Sequence, residues 1–211
     1  MRNYFFLFLA ITSFNVARGQ RSGFTPVADA AGFTGQFATA SQRTQSIKAD
    51  FIQEKNLSML SEKIISKGKF WYKKENLVRM EYKEPFQYLL ILSANSVYIK
   101  DGDKENKIST RSSKLFRQVD RVIIDCVKGT ALLSPEFKVH IYESPKAYLV
   151  ELLPLDKNIA TLFRQINLLL DKKDYTASRI ELLEQSGDHT EITFTNKELN
   201  PEIPDAIFAV H

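Results

Sequence analysis

Residues able to do acid–base, metal or nucleophilic chemistry are few in this sequence and lie far apart. The three histidines, His140, His189 and His211, have no second imidazole or cysteine at metal-ligand spacing. The only cysteine, Cys126, falls on an apolar stripe and is expected to be a buried, unreactive thiol. The chain contains no glycine-rich phosphate loop and no Gly-x-Ser-x-Gly elbow. We therefore predict no catalytic residue, no metal, no cofactor and no enzymatic activity.

The pattern between positions 47 and 92 favours the binding of an apolar ligand instead. Apolar and polar residues alternate with period two over three successive runs, which is typical of neighbouring antiparallel strands. The next run, 88–92, is apolar at every position and so needs cover on both faces of the sheet. We predict that these runs line an acyl cavity, with an ordinary packed core as the alternative. The predicted cavity residues of these runs are Ile47, Phe51, Phe70, Tyr72, Val78, Met80, Tyr82, Leu89 and Ile91.

The strongest helix pattern spans 112–128. Ser112 or Ser113 can cap its first turn, and Gly129 can end it. Its apolar residues recur at helical spacing, while charged residues occupy most of the opposite face. We predict a movable lid that also supplies the missing cover of 88–92, with a permanently packed helix as the alternative. The lid residues expected to face the ligand are Leu115, Val119, Val122 and Ile123.

The remaining sequence predicts further strands in the same domain. A hairpin is expected at 96–110, and five more runs of strand-forming residues follow the lid pattern at hairpin spacing. The total of about eleven strands suits one strongly curved sheet. A short amphipathic helix at 30–44 either closes one end of this sheet or belongs to the lid. We expect a flexible arm at 20–29 and a single domain over 30–211, with Phe208 anchoring an irregular tail in the core.

The first nineteen residues have the features of a secretory signal peptide. Arg2 precedes a short apolar core at 4–11, and Ala17-Arg18-Gly19 forms a small-x-small cleavage site. Cleavage is expected to leave Gln20 at the N-terminus of an exported protein. No later run is long and apolar enough to cross a bilayer. The near balance of 29 Lys and Arg against 25 Asp and Glu, without a basic aromatic cluster, argues against a nucleic-acid partner.

The segment from Ala49 to Pro85 carries a family resemblance. It contains Ala-Asp-Phe-Ile-Gln-Glu-Lys, then Gly-Lys-Phe-Trp-Tyr-Lys-Lys-x-Asn-Leu-Val-Arg-Met-Glu-Tyr, then x-x-Pro. Together with the preceding helix, the lid pattern before Gly129 and the late Gly-Asp-His-Thr-Glu-Ile-Thr-Phe-Thr-Asn, this segment resembles the LolA family of periplasmic outer-membrane lipoprotein carriers. The resemblance covers nearly the whole chain after the signal peptide and is specific mainly over 49–85. It implies a mainly β fold with some α structure: an unclosed, strongly curved antiparallel β-barrel covered by a helical lid.

The resemblance also implies a function and partners. The expected protein is a monomeric periplasmic chaperone that carries acylated lipoproteins from the inner to the outer membrane during outer-membrane biogenesis. Its implied donor is an ATP-driven inner-membrane transporter that releases lipoproteins, and its outer-membrane acceptor is not identified by the sequence. A periplasmic lipid or hydrophobic-ligand sensor of the same fold is the main alternative. A hydrolase acting on lipids is a third, because residues distant in sequence can assemble a site.

The chain departs from the family pattern at one position. Where the family usually has Arg-Pro, this sequence has Lys74-Glu75. The family arginine is thought to hold the lid shut through hydrogen bonds to lid backbone, and lysine lacks the planar five-donor guanidinium. The resemblance therefore implies Lys74 as the lid latch, with a weaker closed state.

Overall fold

A computed structural model shows a large antiparallel sheet with few helices. It describes residues 23–60, 62–74, 76–93, 96–102, 104–109, 122, 125–127 and 129–209, and for 105–109 the backbone alone. The predicted signal peptide therefore lies outside the described residues. Within them, no helix combines the length and the apolar character needed to span a membrane.

The described strands form one twelve-stranded sheet. In chain order they are β1 Thr25–Pro26, β2 Ser46–Asn56, β3 Lys63–Lys73, β4 Leu77–Glu84, β5 Tyr88–Leu92, β6 Ser96–Asp101, β7 Lys104–Ser109, β8 Phe137–Glu143, β9 Ala147–Pro154, β10 Phe163–Asp171, β11 Ala177–Glu184 and β12 His189–Leu199. Neighbours pair in the order β1-β8-β9-β10-β11-β12-β2-β3-β4-β5-β6-β7. This order is linear over the described strands, so the sheet is not closed. The predicted fold class is confirmed, and the two-residue β1 is the strand beyond the expected eleven.

Part of the predicted flexible arm forms that extra edge strand. Thr25 and Pro26 pair with the end of β8, and the Val27 amide donates to the Ile141 carbonyl at 3.1 Å. Proline is tolerated here because an edge strand does not need every amide as a donor.

The register of β2, β3 and β4 follows from their alternating sequences. Ala49 lies opposite Phe70, which lies opposite Met80, so apolar residues of all three strands share one face. Gly68 lies opposite Phe51, and a Cβ there would sit 2.7 Å from the Phe51 ring and 2.1 Å from the Glu81 carbonyl oxygen. Glycine at this position therefore lets the Phe51 ring lie flat over β3 in the interior.

Helix α1, Ala30–Arg43, precedes the long strands. Its N-cap is Asp29, whose carboxylate accepts from the Gly32 amide at 2.8 Å. A short helix α2, Lys157–Ala160, is capped in the same way by Asp156. Most of the lid helix predicted at 112–128 lies outside the described residues. Its described residues, 122 and 125–127, are helical and precede a 3-10 turn at Thr130–Leu133.

Two apolar clusters lie on opposite faces of the sheet. The inner cluster contains the shared face of β2, β3 and β4 together with Val122 and Cys126. The outer cluster joins Ile91 and Tyr98 to Ile203 and Phe208 of the C-terminal segment. The prediction that the lid helix covers the outer side of β5 is therefore wrong for its described residues, which pack inside. The tail supplies that cover, and Phe208 is buried in the outer cluster instead of the main core.

Candidate functional site

The inner face of β2, β3 and β4 forms one apolar wall. Alternation places the same parity of each strand on this side, and the register aligns Ile47 with Tyr72 and Val78. Phe51 meets Tyr82 edge-on at 4.9 Å between ring centroids, and Tyr82 meets Tyr88 in the same way at 5.4 Å. Six predicted cavity residues are buried together on this wall: Ile47, Phe51, Phe70, Tyr72, Val78 and Met80. Tyr82, the seventh, packs against them and is half-buried.

The second half of the sheet supplies an equally apolar wall that sequence reasoning did not include in the site. Every second residue of its strands is buried in the same inner cluster: Val150, Leu152, Ile166, Leu168, Leu170, Ile180, Leu182, Ile192 and Phe194. Phe194 meets Phe70 at 5.1 Å between ring centroids, although β2 lies between their strands. The alternation of apolar residues in these strands was a usable signal, and only the tertiary contact reveals that both walls face one interior.

Two segments cover this interior. α1 buries only Phe33 and Phe37, which pack against Tyr148 near the start of β9 and Tyr175 in the turn after β10. The second segment brings Val122, Cys126 and Val127 into the inner cluster. The two segments meet at Gly129, whose φ of 75° and lack of a side chain admit the Phe37 ring, since a Cβ would lie 1.8 Å from its tip. The helix at 30–44 thus belongs to the cover, one of the two roles open from sequence.

The interior is closed and packed in this conformation. Phe51, Phe70, Val78 and Met80 are each only 1–2% exposed, so among the described residues they lie in close apolar contact. The expectation that these side chains line a space for an acyl chain stays a prediction, which applies to a state with the cover displaced. A ligand can reach them only if the cover moves away.

A groove of about 350 Å³ lies at one end of β4, β5 and β6. Tyr82 and Tyr88 border this groove and also pack against the inner cluster. Charged side chains of the outer face, including Arg79, Lys83 and Lys100, form its other side. The groove therefore brings solvent to the aromatic margin of the packed interior.

The remaining predicted site residues do not join this interior. Leu89 and Ile91 belong to the opposite face, where Ile91 is buried against Ile203 and Phe208. Their assignment to the acyl cavity is therefore wrong, and Leu90 and Leu92 point inward instead. Because every residue of β5 is apolar, its sequence does not indicate which alternate residues face the interior. Val122 lies in the interior as expected. Three predicted lid residues lie outside the described residues: Leu115, Val119 and Ile123.

The predicted latch residue contacts a different segment from the one expected. The Lys74 ammonium donates to the Gln42 carbonyl in the last turn of α1, with a long separation of 3.4 Å and an exposed setting. The backbone amide of Lys74 donates to the Gln45 carbonyl at 2.7 Å. Among the described residues, this exposed hydrogen bond contributes little to holding α1. The role of Lys74 as a latch on the lid stays a prediction, since most of that segment lies outside the described residues.

Burial raises the pKa of several described side chains. Burial, with a smaller effect of Asp125, raises the pKa of the Cys126 thiol far above its ordinary value, which keeps it protonated and unreactive. Burial also raises the pKa of Tyr72. On the outer face, charges lie in pairs such as Arg179 with Glu191 at 3.3 Å. The described residues contain no group of three or more His, Cys, Asp or Glu side chains arranged to hold a metal ion.

Two solved structures with TM-scores above 0.5 support a shared fold. The MucA/MucB complex of Pseudomonas aeruginosa matches with a TM-score of 0.53 and 14% identity, over 87% of this chain and 62% of that one. An uncharacterized conserved protein of Thermus thermophilus also gives 0.53, with 9% identity over 83% of this chain and 92% of that one. A LolA superfamily protein of Nitrosomonas europaea gives 0.47, with 8% identity over 84% and 97% of the two chains. No curated protein matches the sequence.

The family assignment comes from the sequence itself. The family model described as outer membrane lipoprotein carrier protein LolA matches residues 42–211, which is most of the chain and includes both walls of the interior. The resemblance drawn from 49–85 is thereby confirmed, and this protein belongs to the LolA family.

Proposed function

We propose that this protein is a periplasmic carrier that binds the acyl chains of lipoproteins inside its curved sheet and takes them from the inner to the outer membrane. Family membership supports this function. The observation that carries it is a continuous apolar interior, made by both halves of the sheet and covered by a helix that is held mainly by Phe33 and Phe37.

The energetics favour an interior that opens and closes. Each buried methylene contributes about 0.8 kcal/mol, so a chain of roughly fifteen methylenes represents on the order of 12 kcal/mol against water. An acyl chain is chemically equivalent to the side chains that fill the closed interior. It can therefore replace the contacts of the cover, and only the difference between the two packings limits affinity and release.

α1 is well suited to be the part that moves. A helix of fourteen residues with two buried side chains has a narrow apolar stripe, and Gly32 and Gly35 lower its helical propensity. Its polar contacts with other segments include Gln36 with Tyr175, Gln42 with Lys74, and the Arg43 carbonyl with the Asn200 amide, and all three are exposed. The closed position of α1 is thus stabilised mainly by two aromatic side chains, with hydrogen bonds at its margins.

A reversible crosslink tests whether α1 must lift. The variant Gln36→Cys, Tyr175→Cys would join α1 to the turn between β10 and β11 through a reducible bis-maleimide linker, because these two side chains contact each other. Cys126 does not compete for the reagent, since it is buried and its pKa is raised. We expect the linked protein to lose uptake of a fluorescent fatty acid and of a triacylated lipoprotein, and reduction to restore both. Equal uptake by linked and reduced protein would contradict a moving α1.

A matched crosslink on the other face serves as the control. Lys73 and Asp205 form an ion pair with 2.5 Å between Nζ and Oδ1. Joining Lys73→Cys to Asp205→Cys with the same linker fixes the outer cover and should leave uptake unchanged. Loss of uptake here as well would mean that linking any cover impairs the fold.

Release of cargo from membranes separates the carrier from its alternatives. A carrier removes triacylated lipoprotein from inner-membrane vesicles when the ATP-driven transporter is present, and its bound ligand is intact by mass spectrometry. A sensor binds lipid but leaves lipoprotein in the vesicles, and a hydrolase yields cleaved product. Either of these two outcomes would overturn the proposal.

A further inference from the structure

The hairpin between β2 and β3 ends in an exposed apolar tip. Met59 is 94% exposed and Leu60 is 58% exposed in the turn. Ile64 and Ile65, at the start of β3, are each nearly half exposed. Exposed large apolar side chains concentrated on one short hairpin are uncommon unless the hairpin meets an apolar partner.

The geometry of this tip limits what that partner can be. Ile64 and Ile65 are adjacent in a strand, so their side chains point to opposite faces of the hairpin. A groove on a protein partner would cover one of these faces and leave the other in water. A lipid bilayer surrounds an inserted hairpin on all sides and so accounts for both exposed faces together with the tip.

A second exposed apolar residue lies at the same end of the sheet. β4 ends opposite Lys67, four residues after β3 begins at Lys63, and the turn after β4 carries Phe86, which is 76% exposed. The groove bordered by Tyr82 and Tyr88 opens at this end too. Met59 at the tip would therefore meet a lipid surface first, with Phe86 and the groove set back from the tip toward the same end of the sheet.

Charge does not drive this contact. The lysines near the hairpin are paired with acids: Lys63 with Glu54 at 3.0 Å, Lys55 with Glu184 at 3.4 Å, and Lys67 with Glu84 at 3.3 Å. These pairs cancel locally, and the exposed Glu62 and the Asp188 carboxylate, which accepts from the Ser58 amide, add negative charge beside the tip. Attraction to an anionic surface should therefore add little. Binding should therefore depend on insertion of the apolar side chains, and neutral lipids should be bound as well as anionic ones.

We propose that this protein docks on the surface of a lipid bilayer through this end, with Met59 and Leu60 inserted among the acyl chains. The inference goes beyond cargo binding and does not depend on it, since the inserting residues lie outside the interior. It gives the carrier a defined orientation at a membrane, with the groove at Tyr82 and Tyr88 beside the lipid.

Flotation with vesicles of phosphatidylcholine alone tests the proposal. The variant Met59→Ser, Leu60→Ser should reduce the vesicle-bound fraction at least about tenfold, because two apolar side chains no longer leave water. The control Leu199→Ser removes an exposed leucine from the opposite end of the sheet, where Leu199 pairs with Ile47, and should leave binding unchanged. Equal binding by wild type and the double variant would overturn the proposal, as would absence of binding by the wild type.

A fluorescent probe gives a second measurement that does not rely on lost binding. Met59→Cys carrying an environment-sensitive dye should shift to the blue and brighten when the same vesicles are added. The same dye on Lys146→Cys, an exposed turn residue at the other end, should not respond. A concentration-dependent shift without vesicles would indicate contact between two copies and overturn docking on lipid. Binding of a fluorescent fatty acid by the Met59→Ser, Leu60→Ser variant shows separately whether the interior works.

Discussion

The two faces of the sheet are covered in physically different ways. On the outer face, the C-terminal segment is fixed by side-chain donors that reach its carbonyl groups: Ser46 to Pro201 at 2.6 Å, Lys73 to Ile203 at 2.9 Å and Arg79 to Ile207 at 3.1 Å. On the inner face, α1 is fixed by Phe33 and Phe37, with exposed hydrogen bonds at its margins.

The difference determines which cover can be exchanged. Hydrogen bonds from charged donors are directional, and an acyl chain cannot replace them. Apolar contacts are non-directional, and an acyl chain can replace them with little net loss. The outer cover therefore behaves as a permanent part of the fold, whereas an acyl chain can displace the apolar contacts of the inner cover. The following predictions are ordered from the largest expected effect to the smallest.

Met80→Glu tests whether the side chains on the inner face are tightly packed in solution. A carboxylate at this 2% exposed site has no described partner, so we expect a loss of about 4 kcal/mol or more in the free energy of unfolding. Burial raises the pKa of the new carboxyl above its unfolded value of about 4.3. Its folded state therefore binds more protons, and the loss should grow as pH rises above that value.

Urea unfolding at pH 5 and pH 8 measures this loss. The control Ile52→Glu, at an exposed position of the outer face, should change stability by less than about 1 kcal/mol. A Met80→Glu protein that stays as stable as the control but no longer takes up fatty acid would mean that an open cavity exists in solution.

Truncating one phenylalanine in each cover compares them directly. Phe208→Ala in the outer cover should cost about 3 kcal/mol, because the fixed segment cannot leave without loss of its hydrogen bonds. Phe37→Ala should cost only about 1–2 kcal/mol, although Phe37 is 2% exposed and Phe208 is 8% exposed. The reason is that the loss cannot exceed the free energy needed to detach α1 locally.

Urea unfolding and fatty-acid uptake of both variants check this pair. Phe37→Ala should also speed uptake, and Phe208→Ala should not. If Phe37→Ala is the more destabilising of the two, α1 is held as firmly as the C-terminal segment, which would contradict an exchangeable inner cover.

The polar contacts of the two covers should differ in the same direction. Arg79→Met removes the donor to Ile207 and the cation–π contact with Trp71, and we expect a loss of about 2 kcal/mol. Lys74→Met removes one long, exposed hydrogen bond to α1 and should change stability by less than about 0.5 kcal/mol. Thermal unfolding of both variants measures the difference, and a larger effect at Lys74 would establish that residue as a true latch.

Local alternation in the sequence was sufficient to predict the inner face of β2, β3 and β4. Phe51, Phe70 and Met80 occupy alternate positions whose neighbours in sequence are mostly polar. A one-residue shift of register would turn these apolar side chains to solvent, so the period-two alternation alone identifies the inner face. The same argument failed for β5, where Leu89 and Ile91 are as apolar as Leu90 and Leu92. The sequence of a strand with two apolar faces does not indicate which face lies toward the interior of the sheet.

The sequence by itself determined the family, the mainly β architecture and the apolar chemistry of the interior, because these depend on the residue types within short segments. Only the tertiary structure decided what covers each face, since that depends on contacts between distant parts of the chain. Phe37 meets Gly129 across the inner cover, and Arg79 meets Ile207 across the outer one. No periodicity in either segment specifies its partner, so the division into an exchangeable and a permanent cover is a property of the folded chain.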